Sequence, residues 1–343
     1  MLTVHERSRN RAAQTCRPWS GPGRGGHVEH EDVLRAASMY YLQDAKMEVI
    51  ARHLGTSRST VSRLIKKARE TGIVEITLRP GRTRAPGLSQ TISRRFGIEA
   101  YVAPVPDAAT DVERLDQVAL TTAKLVSSWF DSDMVLGIAW GTTLAAIGRR
   151  LTPKPTRGSA VVQLNGAANT HTSGIEYASS LITGFGAAFD ATVHQFPVPA
   201  FFDYPETKAA MWRERSVRRV LDVQRRADIA LFGVGAVTGG LPSHVYSAGY
   251  LDAEDVVLLH DEGVVGDVCT VFLRADGSYE DIPLNARATG PTPGELHRIG
   301  RRVCAVAGDH KVVPLRAALA AGVVTDLVID ELTAEALVAG LGR

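Results

Sequence analysis

Residues 134–151 read MVLGIAWGTTLAAIGRRL, and the reading of this stretch decides the fold. An unbroken apolar run ends at Gly141, two hydroxyl residues follow, and an amphipathic segment begins at once. A strand that is apolar along its whole length is buried on both faces, the habit of parallel sheets covered by helices. The pattern recurs. SAVVQLNG, ATVHQF, DIALFGVG, RRVCAVAG and VTDLVID read as further buried strands, and VCTVFLRADGSY as a strand running into a turn at Asp276-Gly277. Between them VERLDQVALTTAKLVSSWF, GIEYASSLITGFGAAF, a segment within 205–223, LDAEDVVLLHDEG, HKVVPLRAALAAG and TAEALVAGL carry helical spacing. Such alternation predicts an α/β domain with a largely parallel sheet over residues 89–343.

In sheets of this kind ligands bind beyond the carboxyl ends of the strands, where loops enter helices. A helix N-terminus there presents unpaired N–H groups and a partial positive charge, which favour an anion. Gly141 lets the backbone come close, and Thr142 and Thr143 add hydroxyl donors. The stretch is thus a candidate anion cradle; the plain alternative is a capped turn. Other strand ends offer Asn165-Gly166, Gly233 and Gly235, and Gly308 followed by Lys311 at a helix start. A lysine is unfavourable at that end of a helix, and a bound anion would explain it. Asp267, in GVVGDVCTVF, offers a carboxylate either to sugar hydroxyls or to a turn. Asp261-Glu262 and Asp330-Glu331 read as solvated loop residues.

The N-terminal part is built differently. Residues 1–27, which include RPWSGPGRGGH, show no hydrophobic period and read as a disordered tail. Residues 28–79 hold three helical segments and the short strand IVEITL, and a Pro-, Gly- and Arg-rich linker follows over 80–88. On the first helix Val33, Leu34, Ala37, Tyr40 and Tyr41 share a face; on the second, Met47, Ile50, Ala51 and Leu54. The second and third helices are joined by LGTS, the spacing of a DNA-binding helix-turn-helix. Ala51 is small where the helices cross, Gly55 suits the turn, and Ser57 caps the third helix and can donate to a phosphate. Arg58, Ser59, Thr60, Ser62 and Arg63 then face a major groove, with Lys66 and Lys67 placed for phosphates and Arg58 or Arg63 for a guanine edge. A small bundle with merely solvated cations is the competing reading.

Charge agrees with the DNA reading. Residues 1–26 carry five arginines against one glutamate, and 27–84 eleven basic against seven acidic side chains, in a chain of net charge +2. The remainder is therefore acidic, and the basic end is the one suited to nucleic acid. Cys16, Cys269 and Cys304 form no C-x-x-C pattern, which fits a reducing cytoplasm, and no apolar run approaches a membrane span. No H-E-x-x-H, G-x-S-x-G or Walker A motif occurs, and HVEH at 27–30 reads as chance. GVGAVTGG falls one residue off a dinucleotide fingerprint, so neither a cofactor nor a metal is expected.

The segments GIAWGTTL, VVQLNG, LFGVG, GDVCTVFLRADG and AVAGDHKVVPLRAALAAGVVTDLVIDE, with HLGTSRSTVSRLIKKARETGIVEI before them, resemble in order the motifs of the SorC family of bacterial transcriptional regulators, over roughly residues 31–340. The resemblance implies a helix-turn-helix joined to an effector domain related to sugar-phosphate isomerases (NagB/RpiA-like), a tetrameric assembly, and a phosphorylated sugar or polyol as effector. Gly141, Thr142 and Thr143 fall on its phosphate loop, Lys311 on a basic pocket position, Asn165, Gly166, Gly233 and Gly235 on pocket loops, and Asp267 on its acidic position. Ala167 and Thr270 stand where the family often has glycine. The leading expectation is a regulator that binds double-stranded operator DNA as a homo-oligomer, dimer or tetramer, gated by the effector. The alternative is a sugar-phosphate isomerase or deaminase relative with an accessory DNA-binding domain, for which no convincing catalytic base stands out.

Overall fold

The computed structural model describes residues 3–4, 25–41, 43, 45–75, 85–169, 175–237 and 243–339. Cys16, most of the expected tail and residues 80–84 of the expected linker lie outside them. Two compact units divide at Arg82–Thr83.

The first unit holds β1 (Thr3–Val4), α1 (Gly25–Tyr41), α2 (Met47–His53), α3 (Arg58–Glu70) and β2 (Val74–Glu75), with β1 and β2 antiparallel. The tail is therefore not wholly irregular: two of its residues pair with β2, and α1 begins at Gly25, ahead of residue 28. Its core is Val33, Ala36, Ala37, Ile50, Ala51, Val61, Ile65 and Ala68. Ala36 takes the place read for Tyr40, which is exposed and packs edge-on against Tyr41. Gly55 leaves α2 with φ +61° while the Thr56 N–H donates back to the Ala51 carbonyl at 2.8 Å, which turns the chain sharply into α3.

The second unit begins with α4 (Ala85–Phe96), so residues 85–88 are helix, where a linker was expected, and continues with β3 (Glu99–Ala103), α5 (Asp111–Trp129), β4 (Val135–Ile138), α6 (Thr142–Arg150), β5 (Ala160–Gln163), α7 (Ile175–Phe189) and β6 (Thr192–His194). Next come α8 (Pro205–Met211), α9 (Arg215–Gln224), β7 (Ile229–Phe232), β8 (Gly235–Ala236), α10 (His244–Ser247), α11 (Ala253–Asp261), β9 (Val264–Val268) and β10 (Val271–Arg274). The chain closes with α12 (Pro293–Leu296), β11 (Arg301–Val306), α13 (Val312–Ala320), β12 (Asp326–Asp330) and α14 (Glu331–Ala339).

Seven strands form one parallel sheet in the order β3-β12-β11-β7-β4-β5-β6. Side chains alternate across it as the pleat demands. Ile229, Leu231, Val303, Ala305 and Val328 join the core under α5, α6 and α7. Ala230, Phe232, Cys304, Val306, Leu327 and Ile329 join the opposite core with α4, α13 and α14. From β4 the chain winds outward through β5 and β6, then from β7 the other way through β11 and β12. The winding reverses between β4 and β7, and that switch point is where a crevice opens. A small antiparallel sheet, β8-β9-β10, carries one wall of it.

Candidate functional site

A cavity of about 480 Å³ lies at the switch point, and Gly141, Thr142, Thr143, Asn165, Gly233, Gly235, Asp267 and Lys311 all line it. Gly141 is the N-cap of α6 at φ +147°, a conformation other residues rarely adopt, and no side chain caps this helix end. The first-turn N–H groups of a helix have no intrahelical acceptor, and Gly141, Thr142, Thr143 and Leu144 of this turn line the cavity. Lys311, at the end of the 3-10 turn Asp309–Lys311, makes no ion pair among the described residues. Burial holds its ammonium below the ordinary lysine range, while nearby Asp267 pulls in the opposite direction.

Asp267 sits in β9 opposite Gly235 of β8 and is buried. A Cβ on Gly235 would stand 1.8 Å from Asp267 Oδ1, so glycine there makes room for the carboxylate. The Thr270 N–H donates to Oδ2 at 3.1 Å, and Oδ1 makes no hydrogen bond among the described residues. Burial pushes the carboxyl up to about 6, against the Thr270 N–H, the Tyr246 hydroxyl and Lys311, which all favour its charged form. The turn that delivers this donor is unusual. Cys269 and Thr270 have φ of 51° and 69°, the conformation a two-residue hairpin turn demands at both central positions, although neither is glycine. Among the described residues Asn165, also buried, leaves its Oδ1 unpartnered, and His310 its Nε2. The cavity thus combines a helix N-terminus and a lysine, suited to an anion, with acceptor oxygens suited to hydroxyl groups.

Behind Lys311 stands an ion-pair network that corrects the reading of Asp330 as a solvated residue. Asp330 is fully buried at the end of β12 and accepts from Arg114 Nε at 2.9 Å. Arg114 also donates to Thr333 Oγ1 at 2.8 Å and to Asp309 at 3.3 Å. The Gly308 N–H donates to Asp330 Oδ2 at 3.1 Å and Thr333 Oγ1 at 2.9 Å, which anchors the turn bearing His310 and Lys311. Glu331 is likewise buried, and Glu262 pairs with Arg274.

Gly166 departs from the expected set. It does not line the cavity; its carbonyl accepts the Trp140 indole N–H at 2.7 Å, and a Cβ there would strike the Pro199 and Val198 carbonyls. Its glycine serves close packing. The reading of the residues missed Trp140, Ser243, His244, Ser247 and His310, which also line the cavity. His310 could have been found in GDHK; Ser243 and His244 arrive from a segment without periodicity.

In the first unit Ser57 caps α3, accepting the Thr60 N–H at 3.1 Å, and its hydroxyl also bonds those of Ser59 and Thr60. Val61, Ile65 and Ala68 are buried, which leaves Arg58, Ser59, Ser62, Arg63, Lys66 and Lys67 exposed and Thr60 half-exposed. Arg58 pairs with Glu48 of α2 at 3.0 Å, and Lys66 with Glu70 at 3.7 Å.

Residues 83–339 match the family described as "Putative sugar-binding domain", and residues 35–87 the family described as "Helix-turn-helix domain". The deoxyribonucleoside regulator of Bacillus subtilis (strain 168) is 31% identical over 308 residues, 89% of this chain and 96% of its own. A crystal structure of a domain of a possible sugar-binding transcriptional regulator from Arthrobacter aurescens TC1 has a TM-score of 0.72 and 49% identity, covering 76% of this chain and all of that one (100%). The full-length sorbitol operon regulator SorC from Klebsiella pneumoniae superposes with a TM-score of 0.72 at 25% identity, covering 90% of this chain and 98% of that one. A helix-turn-helix followed by a sugar-binding α/β domain, with relatives of this kind along nearly its whole length, places the chain in the SorC family of DNA-binding transcriptional regulators.

Proposed function

We propose that this regulator controls a carbohydrate or polyol catabolic operon and changes its hold on operator DNA when a phosphorylated sugar or polyol enters the cavity. The observation that carries the reading is the convergence, on one cavity, of the α6 N-terminus, Lys311 and one oxygen each of Asp267 and Asn165, which among the described residues have no side-chain cap, no ion pair and no hydrogen-bond partner respectively. Phosphate sits against Gly141, Thr142, Thr143 and Lys311; hydroxyls face Asp267 and Asn165; Gly233 and Gly235 keep the floor open. In the DNA-binding region, 28–79, Arg63 and, once released from Glu48, Arg58 read base edges, while Ser57, Ser59, Thr60, Ser62, Lys66 and Lys67 hold the backbone. The remainder, 89–343, binds effector and assembles the chain as a dimer or tetramer in the cytoplasm. No helix of the described residues is long and apolar enough to cross a membrane.

Charge-assisted hydrogen bonds contribute roughly 1.5–3 kcal/mol each. Lys311→Ala is therefore expected to weaken a phosphorylated sugar by one to two decades, and Thr142→Asp by more, with operator binding in the absence of ligand retained. Calorimetry with a sugar phosphate and its unphosphorylated parent tests this. Equal affinity for the two, with both variants matching wild type, would reduce the cradle to a capped turn.

The enzyme reading draws on a single feature, a buried carboxyl near 6 facing the cavity. A base of that kind would exchange a proton beside a carbonyl. We propose that Asp267 instead accepts hydroxyl hydrogens; sugar phosphates incubated with the protein in deuterium oxide then take up no deuterium at carbon.

A further inference from the structure

A second concavity, of about 650 Å³, lies at the other end of the parallel sheet. Its floor is the start of three strands, at Val135, Ala160 and Thr192, and its wall is α9. Residues 213–226 read RERSVRRVLDVQRR, six arginines against two acids, in a domain that is net acidic. Val217, Val220 and Val223 are buried against the sheet, so the spacing of α9 turns the arginines away from the core. Arg215, Arg218, Arg219 and Arg226 line the concavity. The acid on the same helix, Asp222, also lines the concavity and is already paired with Arg225, which is not among the lining residues. Among the described residues none of the four lining arginines has an ion-pair partner, although Asp133 and Asp222 share the lining, which leaves cations in excess there. The field they create is felt on the floor. His194 is held below its ordinary pKa by burial first, then by Arg219 and Arg226.

Four guanidinium groups around one hollow repel one another, and an anion among them removes that cost. The planar guanidinium fork matches phosphate oxygens two at a time. A hollow, as opposed to a ridge, fits a small molecule better than the rod of a duplex. We propose that this concavity is a second anion site, taking a small compound with two or more linked phosphate groups, separate from the cavity at the strand ends.

Titration calorimetry of the full chain with inorganic pyrophosphate tests the proposal in a Lys311→Ala background, which weakens anion binding in the first cavity. One pyrophosphate per chain is expected, bound more tightly than orthophosphate. Arg218→Ala with Arg219→Ala should weaken it at least tenfold. Both side chains are exposed, so the thermal transition should be unchanged; Arg218→Gln with Arg219→Gln serves if the first pair folds poorly. The His194 imidazole pKa, followed by NMR, should rise as pyrophosphate binds. Absence of pyrophosphate binding in the Lys311→Ala protein, or binding indifferent to the arginine pair, overturns the proposal. So does an arginine variant that loses non-specific duplex DNA but keeps pyrophosphate, since the surface would then be a nucleic-acid contact.

Discussion

At Asp267 two demands conflict, since burial opposes a charge that the Thr270 N–H and Lys311 support. The carboxyl moves from 3.8 in the unfolded chain to about 6 in the folded one, so between those values the folded state binds more protons. Stability is then greatest below about pH 4 as far as this group is concerned, and falls as pH rises through 6. Asp267→Asn is expected to raise stability at pH 7.5 by up to roughly 3 kcal/mol, a gain that fades toward pH 4 in denaturant titrations. The same variant should lose effector affinity. In wild type that affinity should climb between pH 5 and 7 if the charged form accepts hydroxyls, and a flat profile in Asp267→Asn would separate this from titration of His310. Asp267 was legible as a candidate because it interrupts an apolar run. Its depth was not, because Gly235, which makes room for it, lies 32 residues earlier. Asp330 was misread for the same reason: its counter-charge, Arg114, is 216 residues away.

Among the elements, α3 and α5 carry the clearest expectations. Arg63→Ala should cost about 1–3 kcal/mol of specific binding and relax preference at one operator base pair. Lys67→Ala should weaken all duplexes alike and flatten the salt dependence, as gel shifts at several ionic strengths would reveal. Glu48→Gln, which frees Arg58, should strengthen DNA binding; weaker binding would show that the pair positions Arg58 for the groove. On α5, Arg114→Met leaves Asp330 buried and uncompensated, a loss of roughly 3–5 kcal/mol. Arg114→Met with Asp330→Leu should recover much of that stability while effector affinity stays low, because Gly308 loses one of its two acceptors and the turn bearing Lys311 is held less firmly. The parallel strands and most helices were legible because their apolar runs are continuous and their lengths ordinary. β3 was not, being an edge strand of mixed composition, and β9 was missed, the strand read from Val268 onward running straight through the turn because Cys269-Thr270 fills a place usually marked by Asn-Gly.

For the whole molecule, one helix-turn-helix makes few contacts, and symmetric pairing on two half-sites multiplies them. Light scattering at micromolar concentration is expected to report at least a dimer, and a monomer with and without sugar phosphate would refute the assembly. The order β3-β12-β11-β7-β4-β5-β6 carries a further consequence. Gly141 and Thr142 hang from the half of the sheet that winds through β5 and β6, Lys311 from the half that winds through β11 and β12, so a ligand bound as proposed would staple two segments about 170 residues apart. Binding at a hundredfold excess over Kd raises the free energy of every opening that parts them by roughly 2.7 kcal/mol. Backbone amides of β5 and of β12 should therefore lose their deuterium uptake together when effector is added, though neither strand need touch it. Slowing confined to residues 141–145 would mean that the two halves already open as one.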